Sequence, residues 1–112
     1  MLCTQDFTNN KQKGSNRVNT RVIPEHPYVI GQNYLVRTVT FYYTGRLVAV
    51  YANELVIDRA AWIPDCGRFS QFLQSGEPAE CEPYPESAQV IVSRQSITDC
   101  LPWVTGLPRT QK

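Results

Sequence analysis

One histidine and four cysteines are the residues of this 112-residue chain to weigh first for chemistry. His26 is the lone imidazole, set between Glu25 and Pro27. Acid–base catalysis needs a tunable group beside a second group that orients it. His26 has no such neighbour in the sequence and reads as a surface or packing residue. Cys3, Cys66, Cys81 and Cys100 are scattered. No two form a C-x-x-C pair, the spacing that lets one turn present two thiolates to zinc. They read as buried or idle thiols, although Cys66 and Cys81 bracket a single excursion of the chain and could approach each other. Glu77, Glu80, Glu82 and Glu86 crowd one proline-broken stretch. They lack the calcium-loop spacing with its central glycine and read as a solvated loop, with a second use as a dock for a basic segment of another copy. The chain holds no G-x-S-x-G elbow, no H-E-x-x-H and no G-x-x-x-x-G-K. Neither catalysis nor a metal or cofactor is expected, and no small-molecule substrate.

Charge and composition narrow the partners. The net charge of +1 sets up no overall field towards nucleic acid or membrane. Arg17, Arg21, Arg37, Arg46 and Arg59, with Tyr42, Tyr43 and Tyr51, have the side chains to contact phosphate and stack bases. Ten acidic residues offset the eleven basic ones, so nucleic acid is not the partner expected. No apolar run approaches the ~18 residues of a membrane span. The first residues, MLCTQDFTNNKQKGSN, carry no apolar stretch of the secretory kind. Synthesis in a cytoplasm with reduced thiols is the expectation.

These side chains must be positioned by strands. Tyr34–Ile63 reads as three consecutive β-strands, 34–43, 46–51 and 55–63, rich in β-branched and aromatic residues. Thr44-Gly45 is the expected first turn, and Asn53 the corner of the second. Asp58-Arg59, a charged pair in mid-strand, suggests a solvated strand edge. Pro64 should end the third strand and Asp65 cap a short helix with Phe69, Phe72 and Leu73 on its apolar side. Gly76 is placed to stop that helix. Residues 89–93 and 97–101 read as a fourth and fifth strand, and the tail with Trp103, Val104 and Leu107 as packing back on the sheet. The expected fold is mainly β: a small five-stranded SH3-like barrel with one short helix over residues 34–112.

Residues 1–33 differ in composition and read as an extended N-terminal arm. Its polar stretch has little to bury and cannot repay its own ordering entropy. Lys11, Lys13, Arg17 and Arg21 make it basic. Pro24 and Pro27 favour an extended path, with Val22, Ile23, Tyr28, Val29 and Ile30 as an apolar end. Together with Phe69 and Phe72 of the short helix, which must lie on the barrel or on a partner, these are the candidate partner-binding residues.

Two resemblances follow. Gly45–Val50, Asn53–Ile57 with Ala60, and later Val90–Val92 and Ser96–Asp99 resemble Sm-like proteins, small barrels that form rings and bind RNA. The family's aspartate after the second strand is Tyr51 here, and its late Arg-Gly is Arg94-Gln95, so the resemblance implies the barrel shape rather than the RNA-reading residues. A second resemblance spans about Tyr34–Trp103. Arg37-Thr38, Tyr43-Thr-Gly45, Glu54–Ile57, Ala60-Ala-Trp62, Gly67–Ser70, Gly76 and Ile97–Asp99 are similar to a family of small proteins encoded in bacteriophages and prophages, of unknown function. It implies a phage origin. The expectation drawn from both is a non-enzymatic structural protein of a tailed-phage virion, made in the host cytoplasm. The role expected is a capsid cement or decoration protein, with a head–tail or tail position as the alternative. It would bind the major capsid protein, copies of itself as dimer or trimer, or both. An Sm-like nucleic-acid-binding barrel is the other alternative.

Overall fold

Residues 26–112 are described by the structure, a computed structural model. Lys11, Lys13, Arg17, Arg21, Val22 and Ile23 lie outside the described residues. The strand-forming residues make a meander of β1 (Asn33–Thr38), β2 (Tyr42–Val50) and β3 (Glu54–Asp65). Then come one helix, α1 (Phe69–Ser75), and the strands β4 (Glu80–Pro83), β5 (Val90–Ser93) and β6 (Ile97–Pro102). A single 3-10 turn at Arg94–Ser96 joins the last two strands. All pairings are antiparallel. The order is β4-β3-β2-β1-β6, with β5 paired to the first half of β3.

The fold is thus mainly β with one short helix, but it has six strands rather than five. Among the described residues no ladder joins β5 or β4 to β6, so the sheet does not close into a barrel. The sixth strand is β4, drawn from the stretch read as a solvated acidic loop. Its alternation explains this: Cys81 points into the core while Glu80 and Glu82 stay exposed. The chain end extends the pairing, since Lys112 and Cys81 exchange both backbone hydrogen bonds at 2.9 Å.

The first turn also lies elsewhere. Tyr34–Tyr43 is not one strand, because Val36 pairs with Tyr43 and Tyr34 with Gly45. The reversal falls at residues 39–41 and is closed by Thr38. The Thr38 hydroxyl donates to the Phe41 carbonyl (2.7 Å) and accepts from the Phe41 N–H (2.8 Å). A threonine side chain can satisfy a turn's backbone groups in this way. Gly45 sits inside β2, paired with Tyr34 of β1.

The Asp58-Arg59 pair is not on an edge. β3 is an interior strand, flanked by β2 on one side and by β5 and then β4 on the other. Asp58 lies opposite Arg46 and takes a fork of two hydrogen bonds from its guanidinium, at 2.9 and 2.7 Å. Arg59 has φ 49, the left-handed region rare for a side-chain-bearing residue. It marks the kink at which β3 leaves one partner strand for the other. β3 also continues past Pro64 to Asp65.

Both faces of the sheet are covered, as the apolar residues on alternate positions of β1 require. Tyr34, Val36, Leu47, Leu55, Ile57 and Val92 form one buried cluster. Leu35, Ala61, Ile63, Phe72, Cys81 and Trp103 form the other, beneath α1 and the C-terminal tail. Arg68, not Asp65, precedes the first turn of α1 as its cap residue; Asp65 instead accepts from the Gly67 N–H (2.8 Å). Gly76 stops the helix as the sequence suggests, left-handed at φ 76 with its N–H on the Phe72 carbonyl.

Candidate functional site

The β1–β2 turn leaves Phe41 just outside β2, and the β2–β3 register sets Tyr43 directly opposite Trp62. Directly paired residues share a face of the sheet, so three rings meet. Phe41 stands edge-on to Trp62 (centroids 5.7 Å, 90°) and tilted against Tyr43 (6.3 Å, 63°). Tyr84, just past β4, is tied down by its N–H to the Ala60 carbonyl (2.9 Å) and completes the wall. The four side chains line a hollow of about 210 Å³. A neighbouring hollow of about 370 Å³ shares Phe41 and Trp62 and is bounded by Asp65 and Cys66. Phe41 is 45% exposed. Tyr43 and Trp62 ride on paired strands, so little of their side-chain entropy is lost when something covers them.

The charges around this aromatic groove are negative. Trp62 pairs across β3–β4 with Glu82, and Asp65 with Glu80. All three carboxylate residues are exposed. Glu82 accepts one hydrogen bond, from the Gln111 amide (3.3 Å). Among the described residues no lysine or arginine lines either hollow. Burial raises the Tyr43 phenol above its ordinary value, and Tyr84 adds to this, so Tyr43 stays neutral.

The cations of the sheet are engaged elsewhere. Arg37 grips Asp99 through two nitrogens, with its guanidinium 4.3 Å from the centroid of Phe69. The hydrogen bonds from Arg37 hold the Asp99 carboxyl below the usual range. Arg46 is forked onto Asp58, and Arg59 lies 3.6 Å from Glu86. Arg94 donates to the Tyr51 carbonyl (2.7 Å), while Arg109 donates to the carbonyls of Ala60 and Tyr84 (both 2.8 Å). Arg109 therefore ties the tail to the sheet and serves the wall of the groove indirectly.

The thiols are placed for packing. Cys66, Cys81 and Cys100 are free, without a disulfide between Cys66 and Cys81. Burial pushes the Cys100 thiol up to about 11 and raises that of Cys81. A protonated thiol is a poor nucleophile and metal ligand. His26 accepts from the Tyr28 N–H through Nδ1 (3.2 Å), a local contact.

The sequence-derived partner residues are dispersed. Tyr28 is half-buried against Tyr34 (6.1 Å, edge-on) with Arg94 over its ring. Val29 and Ile30 beside it are 55% and 56% exposed. Phe69 packs beneath Arg37, and Phe72 lies wholly in the second core cluster against Trp103 (4.8 Å). Phe72 thus offers no surface to a partner. The groove residues Phe41, Trp62 and Tyr84 went unselected. Each is an aromatic residue in a β-rich stretch, and only the strand register shows that they meet.

No family model and no curated protein matches the chain. Among solved structures, the Sm protein of Pyrococcus abyssii, in complex with a uridine heptamer, is similar to 65% of this chain and 84% of its own. The identity is 19% and the TM-score 0.46, a distant likeness in β architecture that assigns no activity.

Proposed function

We propose that this protein is a non-enzymatic interaction protein that holds another polypeptide on the Phe41–Tyr43–Trp62–Tyr84 groove. The observation that supports this reading is the groove itself. One exposed and three half-buried aromatic side chains around a hollow are the kind of anchors that protein interfaces favour. Arg37 and Arg46 of the sheet are held by Asp99 and Asp58.

The setting proposed is the virion of a tailed phage, as a cement or decoration protein on the major capsid protein. That part rests on the motif resemblance of residues 34–103. It is tested by the protein composition of purified virions. Many copies per shell support cement, a single ring's worth supports a head–tail or tail position, and absence removes the virion role. The groove is tested in the same particles with Phe41→Ser and Trp62→Ser. Folded variants that fail to join the particle support the reading; incorporation at the wild-type level overturns it.

An Sm-like nucleic-acid-binding role is the second reading, favoured by the exposed rings, on which bases could stack. The two separate on charge. Phosphate binding requires free cations and weakens steeply with salt, whereas the groove is flanked by Asp65, Glu80 and Glu82. Tight, salt-sensitive binding of single-stranded RNA would favour this second reading.

A further inference from the structure

The groove's surroundings specify its occupant further, given the interaction reading above. We propose that the aromatic groove takes a basic polypeptide segment, one whose lysine or arginine side chain lies over Trp62 while neighbouring apolar side chains fill the two hollows. Three observations lead there. The smaller hollow is walled by Phe41, Tyr43, Trp62 and Tyr84, and of these ring types indole is the strongest surface for a cation. Phe41 and Trp62 line both hollows, about 210 and 370 Å³, so the two adjoin. Among the described residues the one charged side chain lining the hollows is Asp65, and the cross-strand neighbours of Trp62 and Asp65 are Glu82 and Glu80.

The carboxylates are available for this. Asp65 accepts a single backbone N–H and Glu82 a single amide, neither of which removes its charge. The cations beside the hollows are engaged: Arg37, which reaches the Tyr42 hydroxyl, grips Asp99, and Arg109 donates to the carbonyls of Ala60 and Tyr84. A segment bringing its own arginine or lysine gains a cation–π contact and a carboxylate partner at one point, and opposite potentials orient its approach. A phosphate-bearing strand would meet three like charges instead.

The test uses the full-length protein and a fluorescein-labelled synthetic peptide in which arginine alternates with valine and proline. A control peptide carries glutamate in place of arginine, and a second has neutral glutamine there. The arginine peptide is expected to bind saturably and to weaken with added salt. Trp62→Ala should weaken it about tenfold, and Asp65→Asn with Glu82→Gln by a similar factor, with melting temperatures within a few degrees of the parent. Equal binding of all three peptides, still lost in Trp62→Ala, overturns the basic assignment and leaves the interaction reading standing. Arginine-peptide binding that ignores Trp62→Ala overturns the location. Failure of every peptide overturns the proposal, while the particle-incorporation experiment tests the interaction reading independently. Tighter binding of single-stranded RNA than of the arginine peptide, lost in Trp62→Ala, overturns it in favour of nucleic acid.

Discussion

Gly45 lies against Ile57 so closely that no side chain fits at position 45. A Cβ there would stand 2.9 Å from Ile57 Cδ1 and 3.0 Å from Ile57 Cβ. The glycine is needed for the close approach of β2 and β3 within the first core cluster, and not for a turn. Gly45→Ala is therefore expected to destabilise by about 1–3 kcal/mol, the usual cost of overpacking. In an Ile57→Ala background the Cδ1 contact is relieved, so part of the further loss caused by Gly45→Ala should disappear, while Cβ of residue 57 (3.0 Å) and the Asp58 carbonyl (3.3 Å) keep the rest. Chemical denaturation of the two single variants and the double variant measures the coupling.

One residue earlier, the Thr44 hydroxyl is fully buried and without a hydrogen-bond partner among the described residues. Leaving such a group unsatisfied costs about 1–3 kcal/mol. Thr44→Val removes the hydroxyl and retains the branched shape on the strand. It should raise stability by about 1 kcal/mol, read as an upward shift of the thermal midpoint. A lowered midpoint would show that the hydroxyl finds a partner in solution.

The Arg37–Asp99 pair gives a pH signature. Hydrogen bonds from Arg37 depress the Asp99 carboxyl in the folded state. A depressed carboxyl contributes its stability above the ordinary value near 4 and loses it as pH falls through the folded value. Unfolding curves between about pH 6 and pH 2 should show this loss in the parent and less of it in Asp99→Asn. The pair is partly exposed, 24% and 48% for the two side chains, so the effect is small and diminishes with salt.

Thiol reactivity should follow burial. Cys81 is 1% exposed, and Cys100 has its thiol pushed up to about 11. At neutral pH both are expected to resist iodoacetamide in the folded protein and to react in denaturant. Mass spectrometry of alkylated peptides locates the modification. Rapid labelling of Cys100 in the native protein would contradict its placement.

Phe72 tests core against surface. It is 1% exposed and packs on Trp103. Phe72→Ala should cost about 3–5 kcal/mol, a large share of the stability of a domain this small. Stability close to the parent would mean that the helix is free to leave the sheet and that Phe72 serves a partner after all.

The sequence revealed elements more readily than their partners. The β-branched runs at Leu35-Val36, Leu47–Val50 and Leu55–Ile57 were legible as strands because composition acts locally. The same holds for Gly76 at the end of α1. The first turn was misplaced because Gly45 looks the same whether it serves a reversal or a close contact, and the choice belongs to Ile57 on the neighbouring strand. Glu80–Pro83 was hidden as a strand because four residues with two glutamates and a proline carry almost no local preference. Its place was decided by Cys81 entering the core and by pairing with β3 and Lys112.

By itself, then, the sequence determined an antiparallel β protein with a short helix stopped by glycine, since side-chain shape and periodicity settle such matters within a few residues. Tertiary structure alone decided that, among the described residues, the sheet has six strands and stays open. It alone brought Phe41, Trp62 and Tyr84 around one hollow, with Asp65 on the neighbouring one and Glu82 across from Trp62. Register is the physical reason: a slip of one residue would turn every side chain to the other face, and register is fixed by packing across the whole sheet.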